Sequence, residues 1–119
     1  ASGVRSSLPH GVATNKVIEN GDAIVIDMGA VYKGYCSDIT RTVFVGEITA
    51  EQRQVYDLVD RAQKFAIDKI EKGISCKDIN EVAVNEFRKN GMDKYFLHSL
   101  GHGSGHHQDS RYCRHYRAV

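Results

Sequence analysis

Two short stretches carry the residue types that can do chemistry. In IVIDMGAVYKGYCSDITRT, residues 24–42, Asp27 lies inside an apolar run and Asp38 follows it eleven residues later, across a turn. In HSLGHGSGHH, residues 98–107, four histidines stand among three glycines. If Tyr32 and Lys33 form a two-residue loop, Asp27 and Asp38 face each other on one side of an antiparallel pair, with Cβ atoms about 4.5–5.5 Å apart. A slip of two residues keeps them on that side, and only an odd slip separates them. Like charges so placed repel, and an unpaired carboxylate is costly to bury, so the arrangement calls for a cation between them; a metal ion answers it. The plainer alternative is that Asp27 ends a strand and Asp38 caps a turn, both solvated, with Lys33 or Arg41 as partners. Histidine is the commonest nitrogen ligand of first-row metals. By itself the histidine-glycine stretch also fits an exposed loop. Taken with His10 and the facing carboxylates, it reads as the imidazole half of an oxygen-rich site.

The elements that must position these residues follow from periodicity. Residues 22–30 and 37–45 are rich in β-branched side chains and punctuated by Gly29, Gly34 and Gly46, which predicts a hairpin. From Thr49 the apolar spacing becomes helical through Val55, Leu58, Val59, Ala62, Phe65, Ala66 and Ile70. Thr49 with Gln52 forms a capping box, and Gly73 is a stop. A second helix starts at a Ser75 cap, has Asp78 near its positive end, places Ile79, Val82, Ala83 and Phe87 on one face and stops at Gly91. Phe65 and Phe87 are core positions of the two helices. KYFLHSL, residues 94–100, reads as a short strand or extended segment leading into the glycine-rich turn. No repeat or linker divides the chain.

Composition narrows the function classes. With 41% apolar and 26% charged residues among 119, the chain matches one ordinary domain with one core. A net charge of +1 argues against a broad nucleic-acid surface. Three well-separated cysteines form neither a disulfide framework nor a zinc ribbon, which suits a reducing cytoplasm. No apolar run approaches the roughly 20 residues of a membrane span. The opening ASGVRSSLPHG enters patterned sequence with no polar lead, as a fragment of a longer chain would.

LPHG, GDAIVIDMGAVYKGYCSDITRTVFVG and HSLGHG together resemble the pita-bread metallopeptidases, the family of methionine aminopeptidase, Xaa-Pro aminopeptidase and Xaa-Pro dipeptidase. The resemblance covers residues 1 to about 105, and the SDITRT wording is closest to the proline-directed branch. It implies an α+β partial pita-bread fold, an antiparallel sheet with two helices. It also implies a site with two divalent metal ions, drawn from manganese, cobalt, zinc and iron. By the same likeness Asp27 is a terminal ligand of one metal, Asp38 bridges the two, His102 binds the other, and His10 and His98 contact substrate or the tetrahedral intermediate. The implied substrate is a peptide with proline at its second position, cleaved by metal-activated hydroxide. Residues 1–105 would then be the first portion of a catalytic domain and residues 106–119 a divergent polar tail.

Departures from the family pattern keep other readings open. Ser104 stands where an aliphatic residue is usual, Asp109 falls at the place of a catalytic histidine, and two glutamate ligands of the family are not matched. The alternative is an inactive fragment, or a metal-binding or interaction module with the same fold. Exposed strand edges would then favour association, as a homo-oligomer or an aggregate. In RYCRHYR, residues 111–117, arginines alternate with aromatic residues as in single-strand nucleic-acid grooves, and a solvated tail explains this equally. A structural zinc site from His102, His106, Cys113 and His115 matches no standard finger spacing.

Overall fold

The computed structural model describes residues 1–102. The tail boundary after Gly105, Ser104, Asp109 and the residue 111–117 motif lie outside the described residues. A 3-10 helix at Gly3–Ser7 leads into a loop and then into the hairpin, built from strands β1 (Ala23–Met28), β2 (Val31–Tyr32), β3 (Tyr35–Cys36) and β4 (Ile39–Phe44). Two helices follow, α1 (Ala50–Asp68) and α2 (Cys76–Lys89), then a 3-10 turn at Asp93–Tyr95. Among the described residues no helix is long and apolar enough to cross a membrane.

The hairpin is antiparallel as expected, but its register corrects the predicted one. The two central turn residues are Lys33 and Gly34, not Tyr32 and Lys33: Tyr32 pairs with Tyr35 and Val31 with Cys36. Both turn residues have positive φ, +49° at Lys33 and +83° at Gly34. This is the backbone of a tight primed turn, and glycine at its second position adopts it without strain. Moving the turn by one residue shifts every pair by two, so Asp27 faces Thr40 rather than Asp38. The ladder is interrupted between β1–β4 and β2–β3, where Ser37 substitutes for regular pairing: its N–H donates to the Ala30 carbonyl at 2.8 Å, and its hydroxyl accepts from the Ala30 N–H at 3.0 Å. Gly29 permits this close approach, since a Cβ there would collide with the Ser37 carbonyl oxygen.

Both helix starts follow from local chemistry. Thr49 Oγ1 accepts from the Gln52 N–H at 3.1 Å while Gln52 Oε1 accepts from the Thr49 N–H at 2.8 Å, completing the capping box. The Gln52 amide also donates to the Gly21 carbonyl at 2.9 Å, tying α1 to the start of β1. Phe44 of β4 meets Tyr56 of α1 edge to face at 5.4 Å. Ser75 Oγ caps α2 by accepting from the Asp78 N–H at 3.1 Å.

The core lies between the helices. Leu58, Ala62 and Ala66 of α1 pack with Ile79, Ala83 and Phe87 of α2 and with Leu100. Three alanines in this set let the helix backbones approach closely, and the fully buried Leu58 and Ile79 fill the space between them. Phe65, expected in the core, is instead 46% exposed because it lies off the Leu58–Ala62–Ala66 stripe. The hairpin contributes no buried residue, and Ile26, Met28, Ile39 and Val43 remain partly open to solvent.

Of the two forms expected for KYFLHSL, the strand is the one the structure does not show. The segment begins in the 3-10 turn and continues without regular structure. Two of its apolar side chains pack against the helices, while Tyr95 and Leu97 stay exposed. Phe96 stacks on Phe87 at 4.9 Å, and Leu100 enters the core.

Candidate metal centre

Asp38 and His102 meet. His102 Nε2 lies 3.3 Å from Asp38 Oδ2, although 64 residues separate them in the chain; the carboxylate is the more buried partner, and the imidazole is about half exposed. Asp38 is placed by the hairpin, immediately before β4. His102 is placed by the segment that Phe96 and Leu100 fasten to α2. The contact therefore joins the sheet to the helix pair.

Asp27 is the third acidic or imidazole member, on β1 near its end. Thr40 Oγ1 donates to Asp27 Oδ1 at 2.7 Å, fixing one carboxylate oxygen. Thr40 lies two residues beyond Asp38, and carrying the strand alternation one residue past the start of β4 puts Asp38 on the same side of the hairpin as Asp27, diagonal to it. The even register shift thus preserves the shared side and lengthens the spacing, which eases the repulsion between the two carboxylates. Thr40 is thus the partner of the Asp27 carboxylate, a pairing that the sequence reading passes over. Its available signal was position, two residues from Asp38 on a strand whose side chains alternate.

The two other histidines among the described residues are placed differently. His98 Nδ1 is 2.8 Å from the Ser99 carbonyl, and its ring tilts against Phe96 at 5.6 Å. A carbonyl only accepts, so Nδ1 is the donor in this contact, and in the corresponding neutral tautomer Nε2 is the acceptor. His10 is exposed in the turn that the Gly11 N–H closes onto the Leu8 carbonyl at 3.2 Å. Arg5 steadies the next residues by donating to the Val12 carbonyl at 3.0 Å. Arg41, near Asp38, directs its guanidinium to the Thr40 carbonyl at 2.7 Å and so lies along its own strand.

Farther along the entry loop, Lys16 Nζ donates to Asp22 Oδ2 at 2.6 Å, and the Glu19 N–H donates to the same oxygen at 3.0 Å. The Lys16 ammonium, and then the Glu19 amide, hold the Asp22 carboxyl below its ordinary pKa.

The donor chemistry suits a divalent cation. A carboxylate and an imidazole converge at Asp38 and His102, a second carboxylate lies on the same side at Asp27, and mixed oxygen and nitrogen donors are those that manganese, cobalt, zinc or iron accept. Among the described residues no group of three or more His, Cys, Asp or Glu side chains is gathered closely enough to form a metal cage. The fit is that of two converging donors and a neighbouring third.

A family model described as metallopeptidase family M24 matches residues 1–117. The Xaa-Pro dipeptidase of Pyrococcus horikoshii is 50% identical over 105 residues, which cover 88% of this chain and 30% of that protein. Among solved structures, prolidase from Pyrococcus furiosus superimposes with a TM-score of 0.90 at 43% identity, covering all of this chain and 36% of that one. The X-Pro aminopeptidase from Thermotoga maritima gives 0.87 at 46% identity, over 92% of this chain and 31% of that one. The chain therefore shares the pita-bread fold of these enzymes and spans about a third of their length.

Proposed function

Since the chain belongs to metallopeptidase family M24, we propose that it carries part of the site of a metal-dependent Xaa-Pro exopeptidase, cleaving the bond between an N-terminal residue and proline. The observation that carries this reading is the Asp38–His102 contact beside Asp27, in a chain 50% identical to an Xaa-Pro dipeptidase. Asp27, Asp38 and His102 would hold a pair of divalent cations, which when bound supplies Lewis acidity and activates water. Thr40 keeps the Asp27 carboxylate oriented. His98 takes up a proton at Nε2 and passes it to the leaving amine, and His10 donates a hydrogen bond to the substrate. Ligand type leaves manganese, cobalt, zinc and iron as equal choices. The proposal includes a cytoplasmic setting and association of copies through the exposed hairpin side chains Val31, Tyr32 and Tyr35.

The test is release of proline from an Xaa-Pro dipeptide with manganese present, with and without a chelator, alongside Asp38→Asn. Release that the chelator stops and Asp38→Asn removes supports the peptidase reading. Manganese binding without release favours the second reading, a metal-binding module of the same fold. Chelator-insensitive release would overturn both.

A further inference from the structure

We propose that Asn80 is a positioning residue for His102, acting through the backbone of Leu100. Asn80 lies on α2, on the side that faces the core through Ile79, Ala83 and Phe87. Its side-chain oxygen, Oδ1, accepts from the Leu100 N–H at 2.8 Å across 20 residues of sequence. Leu100 is 6% exposed, so its amide has little access to water and depends on this acceptor. The bond fixes the chain two residues before His102, in a segment whose backbone is not held by a strand or helix.

Three attachments locate this segment, and they differ in what they can specify. The Phe87–Phe96 stack and the burial of Leu100 supply attraction, but apolar contacts tolerate sliding and rotation. The Asn80 bond is directional and sets where the backbone at Leu100 points. From there Gly101 is the single residue before His102, and glycine's freedom gives the chain no stiffness of its own. The 3.3 Å approach of His102 to Asp38 thus depends on a fixed point at Leu100. Asn80 meets this segment at the Leu100 N–H, two residues before His102, so its effect is exerted through the backbone.

The inference rests on the reading of Asp38 and His102 as metal ligands for its consequence, but not for its geometry, and the experiment separates the two. The full chain is compared with Asn80→Ala, which deletes the acceptor, and Asn80→Asp, which keeps an oxygen in its place. NMR measures Leu100 amide exchange and the nuclear Overhauser contact between the His102 ring and Asp38; calorimetry measures manganese affinity; circular dichroism and thermal melting report on the helix pair. In Asn80→Ala we expect Leu100 exchange to rise about tenfold or more. The His102–Asp38 contact should be lost, and manganese affinity should fall about tenfold. Asn80→Asp should restore all three, with helical content unchanged throughout. Retention of the His102–Asp38 contact in a folded Asn80→Ala overturns the proposal. So does a failure of Asn80→Asp to restore it. If Asn80→Ala does not fold, the Asp variant and wild-type Leu100 exchange decide: fast wild-type exchange at Leu100 also overturns it. Absence of manganese binding in the wild type sinks the metal-site reading alone, since the contact measurement still judges Asn80.

Discussion

Asp27 and Thr40 face each other across β1 and β4, and the threonine hydroxyl donates to the aspartate at 2.7 Å. Asp38 lies two residues before that threonine and meets His102 instead. The two carboxylates therefore have different partners and different exposures while sharing a side of the hairpin. Asp27 is exposed and Asp38 half-buried.

Thr40→Val keeps the β-branched shape and removes the donor to Asp27. Because the pair is exposed, stability to urea should change by less than about 1 kcal/mol. Manganese affinity, measured by calorimetry, should fall about tenfold, as expected when a supporting hydrogen bond to a ligand is lost.

Asp38→Asn should reduce manganese affinity by more than the roughly 100-fold ceiling typical of a supporting partner. The protein should remain folded, with unchanged circular dichroism, since the core lies between the helices. Unaltered affinity would exclude Asp38 as a ligand.

Leu58→Ala opens a cavity between α1 and α2 and should cost about 2–5 kcal/mol in chemical denaturation. Ile26→Ala, on a strand residue 39% exposed, should cost less than about 1 kcal/mol. Equal losses would show that the hairpin carries as much of the stability as the helix pair.

Acid should act through Asp22. Its folded pKa is depressed by the Lys16 and Glu19 hydrogen bonds, so its stabilising contribution is complete above the unfolded carboxylate value and is lost as pH falls through the folded one. Asp22→Asn should therefore flatten the melting temperature against pH below about pH 4, and leave the relative slope near neutrality unchanged. Parallel curves for the two proteins over the acid range would contradict this.

Legibility in the sequence followed the range of the interaction. The helix starts at Thr49 and Ser75 could be read because a cap is made within three residues of chain. Motif wording singled out Asp38 and His102, which the structure brings into contact, and Asp27, which it places opposite Thr40. The hairpin register could not be read from strand pattern alone, because a two-residue shift leaves the alternation of side chains intact. What distinguishes the registers is the turn, and Gly34 at the second turn position was the available signal. Phe65 illustrates a different limit: it fits the helical period, yet the buried stripe is narrower than that period allows, so only the packed partner decides. The Asn80–Leu100 bond is tertiary and has no local signature.

The Asp38–His102 contact also has a mechanical consequence. One of its side chains travels with the hairpin and the other with the helix pair, and the hairpin shares no residue with the buried core. A cation gripping both would act as a rivet across a seam, and its binding would raise the cooperativity with which the two parts come apart. Without it, the Gln52–Gly21 bond and the Phe44–Tyr56 contact still tie the two parts, and the hairpin should loosen at a temperature the helices withstand; with it in place, the parts should melt together.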